Sequence, residues 1–269
     1  MVRRAGDGAL YFDLVTEDEQ PPPTVRSLLA GAVQRGLPFN NRVQAVGQEM
    51  FRSPALSFFY ERGWRQQFAL AGFRPEEEEF AEILEFFGPA VAAARDEGNA
   101  VAVLDLSCGS GLWTRRLLRS GVFDTVFAGD YSEVMLAETL NRLKADDLSA
   151  AGPTAPIAVR LDAAALPFQS GGLDLIHAGA ALHCWPNLDG SVAEVYRALA
   201  TGGRFYATTF TTTAYGMSPR LTRGGRTGYK FFEGVGELTD LMVAAGFKKE
   251  DVDVRIVGAS CAVVKCVKS

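Results

Sequence analysis

The segment VLDLSCGSGLWTRRL, residues 103–117, constrains the fold more than any other part of the chain. It predicts a buried strand that runs into a turn containing Gly109 and Gly111 and then into a helix. In such a unit the backbone N–H groups at the helix N-terminus face a bound ligand, and glycine permits the ligand's close approach. We therefore expect a parallel α/β sheet with a ligand site at the carboxyl end of this strand.

Further β-rich runs alternate with helical patterns, as in the βαβ units of a parallel sheet. These runs cover residues 125–130, 157–162, 173–179 and 203–210. Near the C-terminus, a helix over 236–245 precedes two β-runs, 251–257 and 261–267, that only three residues separate. So short a connection joins only antiparallel strands, which predicts a mostly parallel sheet with an antiparallel C-terminal hairpin.

Two local patterns predict helix starts. Ser191 and Glu194 have the spacing of a capping box, which predicts a helix that begins at Ser191 and ends at Gly202 and Gly203. The run Glu76 to Glu79 follows Pro75 and fills a first helical turn, where carboxylates interact favourably with the helix dipole. We assign this acidic run no chemistry.

Composition divides the chain into three parts. Residues 1–50 form an N-terminal extension with a short strand and a proline-rich linker, and residues 51–98 form a helical cap with apolar residues at three- and four-residue spacing. Residues 99–269 form the α/β core. Within the core, residues 211–232 contain four basic residues and no acidic one, and we predict that they form a lid loop over the site.

Charge and composition exclude several classes of function. The net charge of −5 and the pI of 5.2 argue against a nucleic-acid partner. No stretch approaches the roughly 20 apolar residues of a transmembrane helix, which leaves only peripheral association with a membrane or lipid droplet open. Four cysteines without C-x-x-C spacing and two histidines predict no metal site. The sequence does not decide the oligomeric state.

An acidic residue follows the glycine turn at the spacing that is typical of a ribose-binding carboxylate. Asp130 comes 19 residues after Gly111, at the end of the second strand, where a carboxylate accepts hydrogen bonds from both hydroxyls of an adenosine ribose. A dinucleotide fingerprint would place a third glycine where this chain has Thr114. Thr114 therefore argues against a nicotinamide oxidoreductase.

Residues 99–269 resemble the class I S-adenosylmethionine-dependent methyltransferases of type 11, which include quinone-pathway enzymes. Five motifs that occur in order carry this resemblance: DLSCGSG (105–111), GDYSEVML (129–136), RLDAAALPF (160–168), LDLIHAGAALHCWPN (173–187) and EVYRALATGGRFYATTF (194–210). The segments GALYFDLV (8–15), FRSPALSFFYERGWRQQF (51–68) and HAGAALHCWP resemble more closely an uncharacterised plastid methyltransferase group of plants and algae. The resemblance implies a Rossmann-like, seven-stranded sheet of order 3-2-1-4-5-7-6, S-adenosylmethionine as cofactor, and a chloroplast location, or otherwise a soluble cytoplasmic one.

The resemblance also implies roles for individual residues. Asp105, Ser107, Gly109 and Gly111 would surround the methionine part of the cofactor. Asp130 would hold the ribose and Tyr131 would pack on the adenine, and Cys108 and Met135 are also expected among the cofactor-binding residues. The remaining cofactor residues are Asp162 for the adenine amino group, the Ala163 N–H for the adenine ring, and Ala178 and Gly179 at the end of the fourth strand.

Methyl transfer requires an acceptor held in line with the sulfonium and, for a hydroxyl or an acidic carbon, the removal of a proton. His183 follows the fourth strand and is the candidate general base; the alternative is a ring that only packs against Trp185. Candidate acceptor-binding residues are Tyr60, Trp64, Trp185, Phe210 and Tyr215. These aromatic residues favour a small aromatic or prenylated acceptor, with O- or C-methylation left open. A non-catalytic cofactor-binding or assembly protein with the same fold is the alternative function.

Overall fold

A nine-stranded mixed sheet organises the part of the chain that the computed structural model describes, which is residues 2–4, 10–15, 68–69, 72–148, 155–212 and 230–269. The strands are β1 Val2–Arg4, β2 Leu10–Asp13, β3 Ala102–Leu106, β4 Thr125–Asp130, β5 Ile157–Arg160, β6 Leu173–Ala178, β7 Leu199–Phe210, β8 Val252–Val257 and β9 Cys261–Val267. The α-helices are α1 Glu76–Asp96, α2 Leu112–Ser120, α3 Glu133–Ala145, α4 Leu188–Ala198 and α5 Val235–Ala245. Short 3₁₀ turns cover Leu182–Cys184 and Lys249–Asp251.

The strand order is β1-β2-β5-β4-β3-β6-β7-β9-β8. Strands β2 to β7 run parallel to one another, while β9 pairs antiparallel with both β7 and β8. When β3 is counted as the first strand of the core, the seven strands β3 to β9 have the predicted order 3-2-1-4-5-7-6. The Rossmann-like α/β class with a C-terminal antiparallel hairpin is therefore confirmed.

The N-terminal strands extend this sheet beyond the seven expected strands. β1 pairs antiparallel with β2, and β2 pairs in parallel with β5 through Phe12 and Val159. The predicted short strand in the GALYFDLV segment is thus an added edge of the core sheet. Asp13 at its end is buried, and its carboxylate lies 3.5 Å from Nη1 of the buried Arg160 on β5.

Alternating side chains place hydrophobic layers on both faces of the sheet. On β3, Val103 packs with α1 and α2, in a cluster that includes Ile83, Phe87 and Leu117. Leu104 points to the opposite face, where α4 and α5 cover the sheet. Burial on both faces explains why the strand reads as a nearly continuous apolar run.

The helix before β7 starts earlier than the capping-box pattern predicts. The N-cap is Asn187, whose side chain accepts a hydrogen bond from the Gly190 N–H at 3.2 Å. The Ser191 hydroxyl instead donates to the Asn187 carbonyl, and Glu194 accepts from the Leu166 N–H at 2.8 Å. The helix also ends at Ala198, and β7 follows directly from Leu199, so both predicted limits are wrong.

Candidate active site

The turn after β3 has the strained backbone that a close-approach loop requires. Ser107, Gly109 and Gly111 have φ angles of 62°, 58° and 77°, all in the left-handed region. Ser107 has a left-handed backbone although it is not a glycine, and its side chain makes a contact that glycine could not make. Its Oγ accepts a hydrogen bond from Trp185 Nε1 at 2.9 Å. This serine therefore ties the turn to the segment that follows β6.

Gly111 caps α2 and packs tightly beneath the turn. A Cβ at this position would lie 2.7 Å from Cγ2 of Thr139 on α3, whereas a Cβ at Gly109 would meet no heavy atom within 4 Å. Gly111 lines neither of the two cavities described below, so the structure gives it a packing role.

This difference in packing predicts that alanine substitutions at Gly111 and Gly109 lower the free energy of unfolding by unequal amounts. In Gly111→Ala, the new Cβ clashes with Thr139 and the alanine is also strained by the left-handed backbone conformation. We expect the free energy of unfolding of this variant to fall by about 2–4 kcal/mol. Gly109→Ala serves as the matched control, because it adds strain alone and is expected to cost about 1–2 kcal/mol. Urea unfolding of both variants measures the difference, and equal losses would contradict the packing role of Gly111.

Asp130, the last residue of β4, is hydrogen-bonded to the turn after β3. Its Oδ2 accepts the Gly109 N–H and its Oδ1 accepts the Ser132 N–H, both at 2.8 Å. Burial is the main cause that raises the pKa of this carboxyl from its ordinary value of 3.8 to about 6. Each oxygen has a second lone pair, so the carboxylate can accept two further hydrogen bonds.

Two adjoining cavities lie at this carboxyl edge of the sheet. The narrow cleft has a volume of about 110 Å³ and the wide cavity about 570 Å³. The walls of both include Phe68, Ser107, Gly109, Gly179 and Ala180. The narrow cleft is further lined by Asp130, Tyr131, Ser132, Met135, Ala181, His183, Cys184 and Trp185. A ligand that occupies the cleft can therefore extend across the turn into the wide cavity.

Most of the predicted cofactor residues meet at these cavities. Ser107, Gly109 and Gly179 line both, while Asp130, Tyr131 and Met135 line the narrow cleft and Cys108 lines the wide cavity. Burial raises the pKa of the Cys108 thiol well above its usual range, so this cysteine is a buried neutral group. Its side chain packs with Ala128 and Leu136, consistent with a structural role.

Ala178 and the residues after β5 are not among the side chains that line the cavities. Asp162 is exposed, and its carboxylate accepts the Ala164 N–H at 2.9 Å within its own turn. Ala163 is buried in the core, as is Ala178, which pairs with Ala207 across the sheet. The suggested adenine contacts of Asp162 and Ala163 stay predictions.

Asp105 is held in a buried network below the turn. Its Oδ2 accepts a hydrogen bond from the Thr114 hydroxyl at 2.5 Å, and its Oδ1 lies 2.9 Å from His177 Nδ1. Asp105 is 1% exposed, His177 is fully buried, and neither lines a cavity. Thr114, which departs from the dinucleotide fingerprint, therefore has a defined role as a donor to Asp105.

His183 lies on the wall of the narrow cleft in apolar surroundings. Its ring makes an edge contact with Phe210 at a centroid distance of 4.9 Å, and Nδ1 lies 3.4 Å from the Thr209 hydroxyl. Burial lowers the pKa of His183 to about 3. The ring is therefore neutral at physiological pH and a weak base.

The predicted acceptor-binding residues are only partly within the described structure. Trp185 lines the narrow cleft, and Phe210 packs against His183, Phe68 and Phe73. Tyr60, Trp64 and Tyr215 lie outside the described residues, as does nearly all of the predicted lid loop. The described part of that loop includes Lys230, whose N–H donates to the His183 carbonyl at 2.9 Å.

Glu79 is a site residue that the sequence analysis missed. It is 5% exposed and lies on the wall of the wide cavity. The run Glu76 to Glu79 indicated only a first helical turn, but Glu79 precedes the buried Ile83 and Phe87 by four and eight residues. This helical spacing could have identified Glu79 as the member of the acidic run that faces inward.

Within the described ranges, no group of three or more histidine, cysteine or acidic side chains is arranged to hold a metal ion. No helix in the same part of the chain is long and apolar enough to cross a membrane.

Comparison with known proteins gives consistent matches. A family model described as a methyltransferase domain matches residues 104–207. Two uncharacterised chloroplastic methyltransferases of Arabidopsis thaliana are 45% identical over 170 residues and 42% identical over 179 residues. These matches cover 63% and 66% of this chain but only 46% and 48% of the relatives, so the chain spans about half their length. Demethylmenaquinone methyltransferase of Lactococcus lactis is 34% identical over 107 residues, which are 39% of this chain and 40% of that protein.

Solved structures show the same fold at lower identity. The 4+2 cyclase SpnF matches 63% of this chain and 74% of its own, with a TM-score of 0.52 and 19% identity. Phosphoethanolamine N-methyltransferase 2 of Haemonchus contortus, solved with S-adenosyl-L-methionine, matches 67% of this chain and 52% of its own, with a TM-score of 0.51 and 15% identity. The sheet order and the glycine turn are those of the class I methyltransferase fold, residues 104–207 match the methyltransferase domain model, and the chain is related to the two chloroplastic Arabidopsis proteins.

Proposed function

We propose that this protein binds S-adenosylmethionine in the two adjoining cavities and transfers its methyl group to a small aromatic or prenylated acceptor. The observation that carries the proposal is the Asp130 carboxylate, which faces the narrow cleft directly beside the Ser107–Gly111 turn. A carboxylate in this position distinguishes a nucleoside site from a tight βα turn without a ligand.

The residues present fit the nucleoside part of the cofactor. Asp130 has lone pairs to accept from two ribose hydroxyls, and Tyr131 and Met135 supply aromatic and thioether surface for an adenine ring. The narrow cleft alone, about 110 Å³, is too small for the whole cofactor. The methionine part therefore extends past Ser107 and Gly109 into the wide cavity, whose walls these residues share.

When bound, S-adenosylmethionine supplies an electrophilic methyl group on a positively charged sulfur. The chain's main task is to hold the acceptor in line with that methyl group, and such positioning contributes roughly 7–11 kcal/mol to lowering the barrier. The hydrogen bond between Trp185 and Ser107 fixes the turn where the two cavities adjoin, and Gly179 and Ala180 also line both cavities there. We expect the methyl group of a bound cofactor at this junction.

We assign His183 a positioning role in this proposal. A group with a pKa of about 3 holds a transferred proton poorly at neutral pH, since efficient general bases have pKa values near the working pH. A neutral imidazole nevertheless accepts a hydrogen bond from an acceptor hydroxyl. The packing of His183 against Phe210 and Phe231 supplies aromatic surface beside that hydrogen bond.

The acceptor class follows from the aromatic surroundings. Phe68, Phe73 and Phe210 form a contiguous group with centroid distances of 4.7–5.3 Å, and Phe68 lines both cavities. The relationship to a demethylmenaquinone methyltransferase supports a ring-containing acceptor with an apolar chain. The chloroplastic relatives support a plastid location.

The pH dependence of binding tests the role of Asp130. Ribose hydroxyls donate to the ionised carboxylate, so protonation below the pKa of about 6 removes the binding-competent form. Affinity for S-adenosylhomocysteine is expected to be constant above pH 7 and to fall about tenfold per unit below about pH 6. Calorimetry between pH 5 and 8 measures this, with Asp130→Asn as the control that should show no such fall. A flat profile for the wild-type protein would contradict the assignment.

A labelling experiment tests the acceptor class. We expect tritium from methyl-labelled S-adenosylmethionine to enter an organic-soluble product when the protein is incubated with a plastid small-molecule extract. Labelling of protein or RNA alone would overturn the proposed acceptor. The absence of any labelled product, with intact cofactor binding, would favour the non-catalytic alternative, because a fold shared with a protein described as a cyclase does not fix the reaction.

A further inference from the structure

Asp105, the acidic residue that family resemblance places beside the methionine part of the cofactor, is buried beneath the turn and lines neither cavity. One of its oxygens accepts from Thr114 and the other lies against His177, and the residue is 1% exposed. The α-ammonium group of a bound methionine part needs an acceptor with negative charge to compensate its loss of water. The proposed function sets the methionine part in the wide cavity, so the acceptor is sought among the side chains on its wall.

Glu79 meets this requirement. It lies on that wall with Ser107, Gly109 and Gly179, which also line the narrow cleft. Its Oε1 lies 3.4 Å from the Thr208 hydroxyl, and the same hydroxyl oxygen accepts the Ala180 N–H at 2.8 Å. The carboxylate is thereby linked to the residue after Gly179, at the junction of the two cavities.

The charges of the wide cavity also match an α-amino acid group. Its lining includes the acidic Glu76 and Glu79 and the basic Arg74. Glu76 Oε2 lies 2.8 Å from Arg116 and Arg74 lies 3.1 Å from Glu82, while Glu79 is the acidic residue of this lining that is buried, at 5% exposure. An α-amino acid group carries an ammonium and a carboxylate on one carbon, so a wall with both acidic and basic side chains suits it. Glu79 is the buried acidic residue of this wall and lies near the junction of the two cavities.

We propose, resting on the proposed function, that Glu79 binds the α-ammonium group of the methionine part of S-adenosylmethionine. Glu79 is thus a cofactor-binding residue supplied by α1, outside the β3 turn. The proposal separates the two halves of the cofactor. Asp130 recognises the ribose, and Glu79 recognises the amino acid end.

Binding of two cofactor fragments tests this inference without an acceptor. S-adenosylhomocysteine carries the α-ammonium group, and 5′-methylthioadenosine carries only the nucleoside and the sulfur. We expect Glu79→Gln to weaken S-adenosylhomocysteine binding at least tenfold and to leave 5′-methylthioadenosine binding within twofold. Glu78→Gln is the matched control, because it makes the same charge change on the exposed side of the same helical turn and should alter neither affinity.

A second measurement needs no variant and guards against a folding defect. On the wild-type protein, the α-deamino analogue of S-adenosylhomocysteine should bind at least tenfold more weakly than S-adenosylhomocysteine itself. Glu79→Gln should bind both compounds alike, because the ammonium group has then lost its partner.

The outcomes distinguish the inference from the proposed function. Equal weakening of S-adenosylhomocysteine and 5′-methylthioadenosine in Glu79→Gln, or no weakening of either, would overturn the role of Glu79 while leaving the proposed function intact. A wild-type protein that binds neither compound would overturn the proposed function and this inference with it.

Discussion

Asp130→Ala is expected to weaken S-adenosylhomocysteine binding by about 10- to 150-fold at pH 7.5. Hydrogen bonds to an ionised group contribute about 1.5–3 kcal/mol, and every 1.36 kcal/mol corresponds to a factor of ten. The loss also includes an indirect effect, because Asp130 accepts the Gly109 N–H and so helps to hold the turn in place. Calorimetric titration of the wild-type protein and the variant measures the ratio.

Asp162→Ala is the control for this prediction. Its carboxylate is exposed and accepts a local hydrogen bond from Ala164, so an additional contact with the cofactor is worth at most about tenfold in affinity. If Asp162→Ala weakened binding as much as Asp130→Ala, the adenine contact that resemblance implies would outweigh the ribose contact. If Asp130→Ala bound as tightly as the wild-type protein, the nucleoside site would have to lie elsewhere.

Asp105→Ala is expected to lower the free energy of unfolding by about 3–5 kcal/mol. The substitution leaves the Thr114 hydroxyl and His177 Nδ1 without their partner in a site that is closed to solvent, and breaking such a buried network is costly. His177 Nε2 already has no hydrogen-bond partner among the described residues, which makes the ring depend more strongly on Asp105. Urea unfolding monitored by circular dichroism measures the loss.

Two comparisons make this second prediction specific. Asp105→Asn keeps an acceptor for Thr114 and should lose less stability than Asp105→Ala. Asp174→Ala removes only one partly buried hydrogen bond, to the Ala102 N–H, and should cost about 1 kcal/mol. An Asp105→Ala protein that kept its stability but lost cofactor affinity would show that Asp105 is a cofactor ligand after all.

The sequence alone predicted the features that local chemistry determines. The glycine turn, the antiparallel hairpin and the position of Asp130 follow from spacing and backbone requirements within short segments, and the structure shows all three. The predicted limits of α4 were wrong because Ser191 and Glu194 have the spacing of a capping box but bond to other partners in the folded chain. Glu194 bonds instead to Leu166, 28 residues away.

Longer-range contacts also explain what the sequence could not reveal at the site. The spacing of the buried residues of α1 shows which of its faces is buried, but only the packed fold brings Glu79 beside Thr208, 129 residues later. The engagement of Asp105 likewise depends on His177, 72 residues away on the neighbouring strand β6. The low pKa of His183 results from burial, which a sequence position after a strand does not determine.

A crystal structure of the protein bound to S-adenosylhomocysteine tests the central claim most directly. We expect both ribose hydroxyls within hydrogen-bond distance of the Asp130 carboxylate and the adenine beside Tyr131 and Met135. We also expect the sulfur at the junction between Ser107 and Gly179, with the amino acid end in the wide cavity. Density for the nucleoside away from Asp130, or for the adenine in the wide cavity, would contradict the proposed cofactor site.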